Sequence, residues 1–429
     1  MNTIIARTGL TTSFVRELSV RKHEPSWMTQ LRLDAFECAQ QAKVPSMDIE
    51  WEDIPFEQIR YYVAAYDDHK ESPEQSAVAC AGYGMQQESD VIYRELQSEL
   101  EQRGVVFCSM DDALVQHEQL VRAYFGTVVS MQNNVFAALN TAVWSGGVFI
   151  YVPVGIKVSQ PLLMHYVLAQ RLTGQFERTL CVLGDHSSLE YREGCGATFS
   201  CDANVSGSVP CAAVHAAVVE VVVGEGAHME YSTLQRWSLG VATLTSKRAH
   251  LAAHATINWY DINHGSQLLV KNPTVLLNGE GAHASLYSIS FAHADQSYNT
   301  GGRIVCHAPH TRGTIVSKTI ASDRSRTNFK GNVECCAGAT GAQAYLRCDS
   351  LLRSTTAQVT SVPCLQSSEI SAQITHEATI KQVDEDALFY CMSRGFTREA
   401  AEGLLIRGFV ETILSKLPAD IALEVEPLI

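Results

Sequence analysis

The chain has 429 residues, 46% of them hydrophobic and only 18% charged, with 46 acidic against 32 basic side chains and a formal net charge of −14. That length suffices to bury roughly three quarters of the unfolded surface. The charge balance excludes an intrinsically disordered chain and a nucleic-acid-binding surface, which need a charge density or a positive sign that is missing.

The charge is unevenly placed. Residues 1–120 hold 21 acids and 10 bases, residues 381–429 hold 9 and 5, and residues 121–380 hold 16 and 17. A long stretch so poor in charge presents its backbone to other strands more than to water. The composition therefore divides the chain into an acidic N-terminal region (1–120), a nearly neutral middle (121–380) and a short acidic tail (381–429). Nine of the 13 cysteines lie in the middle: Cys181, Cys195, Cys201, Cys211, Cys306, Cys335, Cys336, Cys348 and Cys364. No secretory apolar core opens the sequence and no window of 18 uncharged apolar residues marks a membrane span. The expectation is a reducing cytoplasmic setting in which most thiols are small buried hydrophobes.

In chain order, Gln30–Gln41 places Leu31, Ala35 and Cys38 on one side at helical spacing, with Pro25 where a helix begins. The segment Glu50–Tyr66 reads less clearly. Ser89–Arg103 reads as a helix through Val91, Leu96 and Leu100, and Gln116–Phe125 as a shorter one. From about Gly126 the period changes to that of strands. Gly147–Pro153, Thr179–Leu183, His215–Val223, Met229–Leu234, Ser266–Val270, Thr274–Leu277, His283–Phe291, Gly313–Ile320 and Gln358–Val362 are short runs closed by turn residues. No helix of ten residues is expected between Gly174 and His376, which excludes a βαβ protein. A coil of stacked short strands and a large sandwich both remain open on pattern alone. After Asp384 helical character returns as a two-helix tail, with Thr397 as an N-cap and Leu417-Pro418 as a stop.

The chemistry is sparse. No phosphate loop and no nucleophile elbow occurs, and no Cys-x-x-Cys pair supports a zinc ribbon or a simple ferredoxin site. Cys306-His307 with His310 is a weak metal candidate. Cys348, followed 28 residues later by His376-Glu377, is a better one. It assembles thiolate, imidazole and carboxylate, the groups that bind iron or activate sulfur, and one turn of a strand coil would make them neighbours.

A set of words in order across residues 21–390 resembles the SufB/SufD family of the SUF iron–sulfur cluster assembly machinery, its SufB branch more closely than its SufD branch. They are Arg21–Met28 with Arg32–Asp34, Gly126–Val129, Phe149–Pro153, Thr173–Thr179, Glu193–Cys195, His215–Glu220 and Tyr231–Gln235 with Trp237. Ser246–Arg248, Ile315–Lys318, Cys348–Ser350, His376–Thr379 and Leu388–Tyr390 complete the set. The resemblance implies a mainly β protein, a right-handed parallel β-helix core flanked by helical N- and C-terminal regions. It implies a scaffold rather than an enzyme, which receives persulfide sulfur from a cysteine desulfurase and its carrier. A transient iron–sulfur cluster would then form at an interface with a SufD-like paralogue. ATP would be hydrolysed only by the partner ATPase SufC, docked on the C-terminal helices; a homodimer is the other assembly to weigh. By position, Cys195 would receive sulfur, Gln235, Trp237 and Lys247 would line an internal route, and Cys348, Glu377 and His376 would hold the cluster. FAD is associated with the family's complex, but no flavin motif is visible. Val167, Ala169 and Thr375 stand where familiar members carry polar or acidic residues, and Cys38, Cys80 and Cys108 are scattered singly in place of a cysteine-rich N-terminal segment. The competing reading is a SufD-like structural subunit that supplies only an interface.

Overall fold

The computed structural model describes residues 10–42, 54, 56, 58–65, 79–199 and 211–429. Cys201, the opening residues 1–9 and part of Glu50–Tyr66 lie outside them.

Strands dominate because β-branched runs such as Ala213–Val223 (AVHAAVVEVVV) fit a pleated surface and lack the residues that would continue a helix. They assemble into two long sheets. Along the solenoid the chain passes back and forth between the sheets, so each coil contributes to both; in two coils the segment in the eleven-stranded sheet is split into two short strands. The ten-stranded sheet runs through Leu162–Leu168, Ser188–Ala197, His228–Arg236, Thr256–His264, His283–Ala292, Arg312–Ala321 and Gln343–Leu352 to Gln373–Gln382. The eleven-stranded sheet faces it through Arg178–Leu183, Ala213–Val223, Val241–Leu251, Leu268–Lys271, Ser297–Cys306 and Arg326–Cys335 to Gln358–Ser367. All these pairs are parallel and in register, as in His228–Arg236 on Thr256–His264. The result is a parallel β-solenoid of about eight turns with helices at both ends of the chain.

The corners are built alternately. At one corner of successive coils the residue in the left-handed region is His186, Gly226, His254, Gly281, His310 and Gly341 in turn, with φ between +55° and +68°. Each imidazole lies against the glycine of the next coil: a Cβ on Gly226, Gly281 or Gly341 would sit 2.5, 2.7 or 2.9 Å from the preceding histidine's Nδ1. Glycine is required at the alternate corners for its missing side chain, since histidine holds the same φ in between.

Two helical layers cover the outer faces. Thr12–Arg21 and Ser26–Gln41 bury Phe14, Leu18 and Phe36 against Val214, Leu244 and Val270 of the eleven-stranded sheet. Arg398–Leu414 and Ala419–Val425 bury Ile406, Val410 and Ile421 against Ile262, Ile289 and Leu351 of the other. Thr397 caps the first of these by accepting from the Ala400 N–H.

Three expectations are corrected. Ser89–Arg103 is mostly not helical. Glu88 at φ +51° turns the chain, and Asp90–Leu96 returns antiparallel to Gly82–Gln87, leaving a helix only at Ser98–Gln102. Strand character does not set in at Gly126, because Asn134 caps an alanine-rich helix over Val135–Val143. The tail has three helices: Glu385–Ser393 precedes Arg398–Leu414, and Pro418 opens a third at Ala419–Val425. No helix among the described residues is long and apolar enough to cross a membrane, and no disulfide joins two of the described cysteines.

Candidate functional site

Strand alternation sends every second residue inward, so the register reads out columns along the solenoid interior. On the ten-stranded sheet one column runs Cys195, Gln235, Asn263, Ser290, Thr319, Ser350. The neighbouring column runs Glu193, Thr233, Asp261, Ser288, Ser317, Cys348. A solenoid interior is ordinarily apolar. Here two adjacent columns stay polar over every coil from Cys195 to Cys348, a path of five strand spacings or about 24 Å. Ser288 is on the inner face yet part-exposed, so side chains do not fill the interior at that level.

At the first end, Cys195 is buried and stands in register with Gln235. Trp237, two residues further on the same face, packs its ring 4.7 Å from that of His215. Lys247 reaches across from the opposite sheet. Its Nζ lies 3.0 Å from Glu193 Oε2 and donates to Thr233 Oγ1 at 2.7 Å, with the rings of Tyr231 and Trp259 4.8 and 5.9 Å away. Cys195, Gln235 and Trp237 thus share one inner face, and Lys247 meets the adjoining column of that face from the opposite sheet.

Burial pushes the Cys195 thiol up, with Glu193 adding to it and Lys247 opposing. Burial pulls Lys247 down, but the charges of Glu193 and Asp261 together outweigh it and hold the ammonium above its usual value. Burial and the neighbouring Glu193 push the Glu177 carboxyl well up, and burial lowers the His215 imidazole to about 3.

A second buried pair follows one strand later and was not singled out from sequence. Lys271 Nζ lies 2.6 Å from Asp261 Oδ1 and donates to Asn263 Oδ1 at 3.2 Å. The signal that could have found it is period two. Asp261 and Asn263 repeat the spacing of Glu193 and Cys195, at inward positions of a strand.

At the other end, Cys348 is buried, its Sγ 2.9 Å from Ser361 Oγ and 3.8 Å from the Glu377 carbonyl oxygen. Burial pushes its thiol up, the Ser361 hydroxyl opposing. His376 stands in register with Leu346 and shares the inner face with Cys348, whereas Glu377 stands beside Arg347 on the outer face. There Glu377 accepts from the Tyr345 hydroxyl at 3.2 Å and pairs with Arg347 at 3.5 Å. Thr375 lines a polar outer pocket of about 290 Å³ with His283, Arg312 and Tyr345. The strands Gln358–Ser367 and Gln373–Gln382 end both sheets here, and Val362, Leu365 and Ile380 are exposed on them. Among the described residues no three His, Cys, Asp or Glu side chains gather as a metal-binding group, at this end or around Cys306, His307 and His310.

Fold and site together define a parallel β-solenoid with a thiol at each end of an interior polar strip. Residues 166–409 match the family model described as "SUF system FeS cluster assembly, SufBD core domain", and residues 83–164 match "SufBD protein N-terminal region". The chain is 36% identical, over 98% of its length and 92% of theirs, to iron–sulfur cluster assembly SufBD family proteins of Staphylococcus saprophyticus and Staphylococcus haemolyticus. A protein of the same description from Staphylococcus aureus is 35% identical over the same shares. The chain belongs to the SufBD family of iron–sulfur cluster assembly proteins.

Proposed function

We propose that this chain is the SufB-type scaffold of its assembly system rather than a SufD-type structural subunit. On this reading Cys195 accepts persulfide sulfur from a desulfurase and carrier. The sulfur moves along the polar strip past Gln235, Trp237 and Lys247, and the nascent cluster, the cargo of the complex, is held at Cys348. What carries the reading is the unbroken pair of polar columns between the two thiols, which an interface subunit has no need to maintain. A shielded path keeps sulfane sulfur from competing thiols while a thiol at each end serves as donor or acceptor.

Cluster binding is completed across an interface. Glu377 and His376 lie on opposite faces of an end strand whose edge is unpaired, and the second half of the ligand set comes from a SufD-like paralogue or a second copy seated there. The tail exposes Phe389, Tyr390, Met392 and Leu404 on its helices and Phe396 between them. That apolar surface suits the partner ATPase, whose ATP hydrolysis moves the interface; the scaffold itself catalyses no reaction. The complex works in the cytoplasm, where thiols stay reduced. The SufD-like reading has one observation in its favour, the failure of Cys348, His376 and Glu377 to converge within a single chain.

Anaerobic reconstitution of the complex with iron and a persulfide donor separates the two readings. Visible and Mössbauer spectra are expected to show a cluster in the wild type that is lost in Cys348→Ser and weakened in Glu377→Ala. A normal cluster in Cys348→Ser that still matures a client protein would leave the chain as a structural subunit.

A further inference from the structure

The two buried lysines are not equivalent. Lys247 is enclosed: a carboxylate, a hydroxyl and two aromatic faces surround its ammonium. Lys271 is as deeply buried, at 1% exposure, but among the described residues it donates only to Asn263 Oδ1 and pairs with Asp261 Oδ1, itself an acceptor without an aligned hydrogen bond, and no described ring lies over it. Asn263 in turn donates to Ser290 on the next strand, 3.3 Å away. Lys271 therefore faces the polar columns where they continue toward Ser288, the level at which the interior is unfilled.

A second observation concerns donors. The indole N–H groups of Trp237 and Trp259 are buried without any hydrogen-bond partner. Along the strands they lie on either side of the two polar columns, Trp259 two residues before Asp261 and Trp237 two residues after Gln235. Unmet buried donors cost free energy unless something accepts from them. Beside the idle Asp261 Oδ1, the inner face thus offers a surplus ammonium proton and two idle N–H groups, which a small passenger that accepts hydrogen bonds would meet.

We propose that Lys271, with Asn263, forms a binding station for a small soft anion of the hydrodisulfide class, one strand beyond Lys247 on the way to Cys348. The station holds its passenger non-covalently. A hydrosulfide takes the outer sulfur of the Cys195 persulfide and leaves the Cys195 thiolate, the resulting hydrodisulfide rests at Lys271, and the Cys348 thiolate takes its sulfane sulfur and returns hydrosulfide, so no oxidant or reductant is consumed. The identity of the passenger rests on the sulfur route proposed above; the existence of the anion site does not.

Two measurements on the full chain test it. Crystals equilibrated with sodium bromide, a soft monoanion of hydrosulfide size, are expected to give an anomalous peak within hydrogen-bond reach of Lys271 Nζ that disappears in Lys271→Met. No peak at Lys271 in the wild type, or one that survives the substitution, overturns the station. In the second measurement the chain is loaded with sulfur-35 persulfide, alkylated, and its Cys195 and Cys348 peptides counted. Lys271→Met, and Lys271→Met/Asp261→Asn in which no acid is left stranded, are expected to load Cys195 as the wild type does. Label at Cys348 should fall about tenfold or more, the loss of one charge-assisted hydrogen bond, and Lys271→Arg should restore part of it. Undiminished label at Cys348 in both variants refutes a role for the station in transfer. If the wild type never labels Cys348, the sulfur route falls, and the bromide peak alone decides the site.

Discussion

Replacing Glu193 by Gln tests whether the interior charges are a coupled unit. Lys247 Nζ and Glu193 Oε2 are 3.0 Å apart, with side chains 1% and 3% exposed. At an effective dielectric of about 20 their gross attraction is roughly 5.5 kcal/mol, part of which offsets the cost of taking both ions out of water. Glu193→Gln leaves the ammonium with Thr233 and two ring faces, so the expected destabilisation is about 3–5 kcal/mol, the range for a buried pair broken on one side. Lys247→Met strands the carboxylate and should cost a similar amount. The double variant Glu193→Gln/Lys247→Met removes both charges and should fall short of the summed single losses by about 2–4 kcal/mol. Hydrogen exchange over Ser188–Ala197 and Val241–Leu251 is the suitable assay, because stacked coils open locally as well as globally. Single-variant losses that add to within about 0.5 kcal/mol of the double would show that the two groups do not interact.

Two further outcomes follow from other positions. Burial pushes the Glu88 carboxyl up to about 7 from an ordinary 4.5, the Ala169 N–H opposing. The native state then holds a proton that the unfolded chain releases, so this contribution is full below pH 4.5 and is lost as pH rises through 7. Glu88→Gln should remove up to about 3 kcal/mol of that decline, and urea unfolding at pH 5 and pH 8 with an unchanged pH slope would contradict it. At the corner, Gly281→Ala meets both φ +67° and the His254 ring, for an expected loss of about 2–3 kcal/mol. His254→Ala/Gly281→Ala should recover the steric share and leave about 1 kcal/mol of backbone strain, measured by the same unfolding experiment.

Much of the solenoid is legible where its strands are apolar on both faces. Ala213–Val223 and His283–Ala292 stand out from sequence alone. Arg326–Cys335, Gln343–Leu352 and Gln373–Gln382 do not, because their outward residues are polar and, near the open end, so are several inward ones. The hairpin at Glu88 is hidden for another reason: its turn uses a non-glycine residue at positive φ, while Val91, Leu96 and Leu100 mimic a helical stripe. At the site, Cys195, Gln235 and Trp237 fall on one inner face, and Lys247 reaches the column beside them. Period two alone separates His376 from Glu377, since adjacent strand residues face opposite sides. The Asp261–Lys271 pair is marked locally only by the period-two placement of Asp261 and Asn263; the stacking of coils makes it a neighbour of Lys247.

The alternating histidine and glycine corners bear on how such a molecule changes length. Removing or duplicating a single coil would lay imidazole on imidazole, or glycine on glycine, at a corner shaped for one of each. Two coils together, as from His254 to His310, return the pattern to itself. The natural quantum of insertion is therefore a double coil, and the separation of the two terminal thiols is a length that changes in steps of about 10 Å. A lineage that lengthens or shortens this interior does so by whole modules, and a chimera joined after an even number of coils keeps its spine intact.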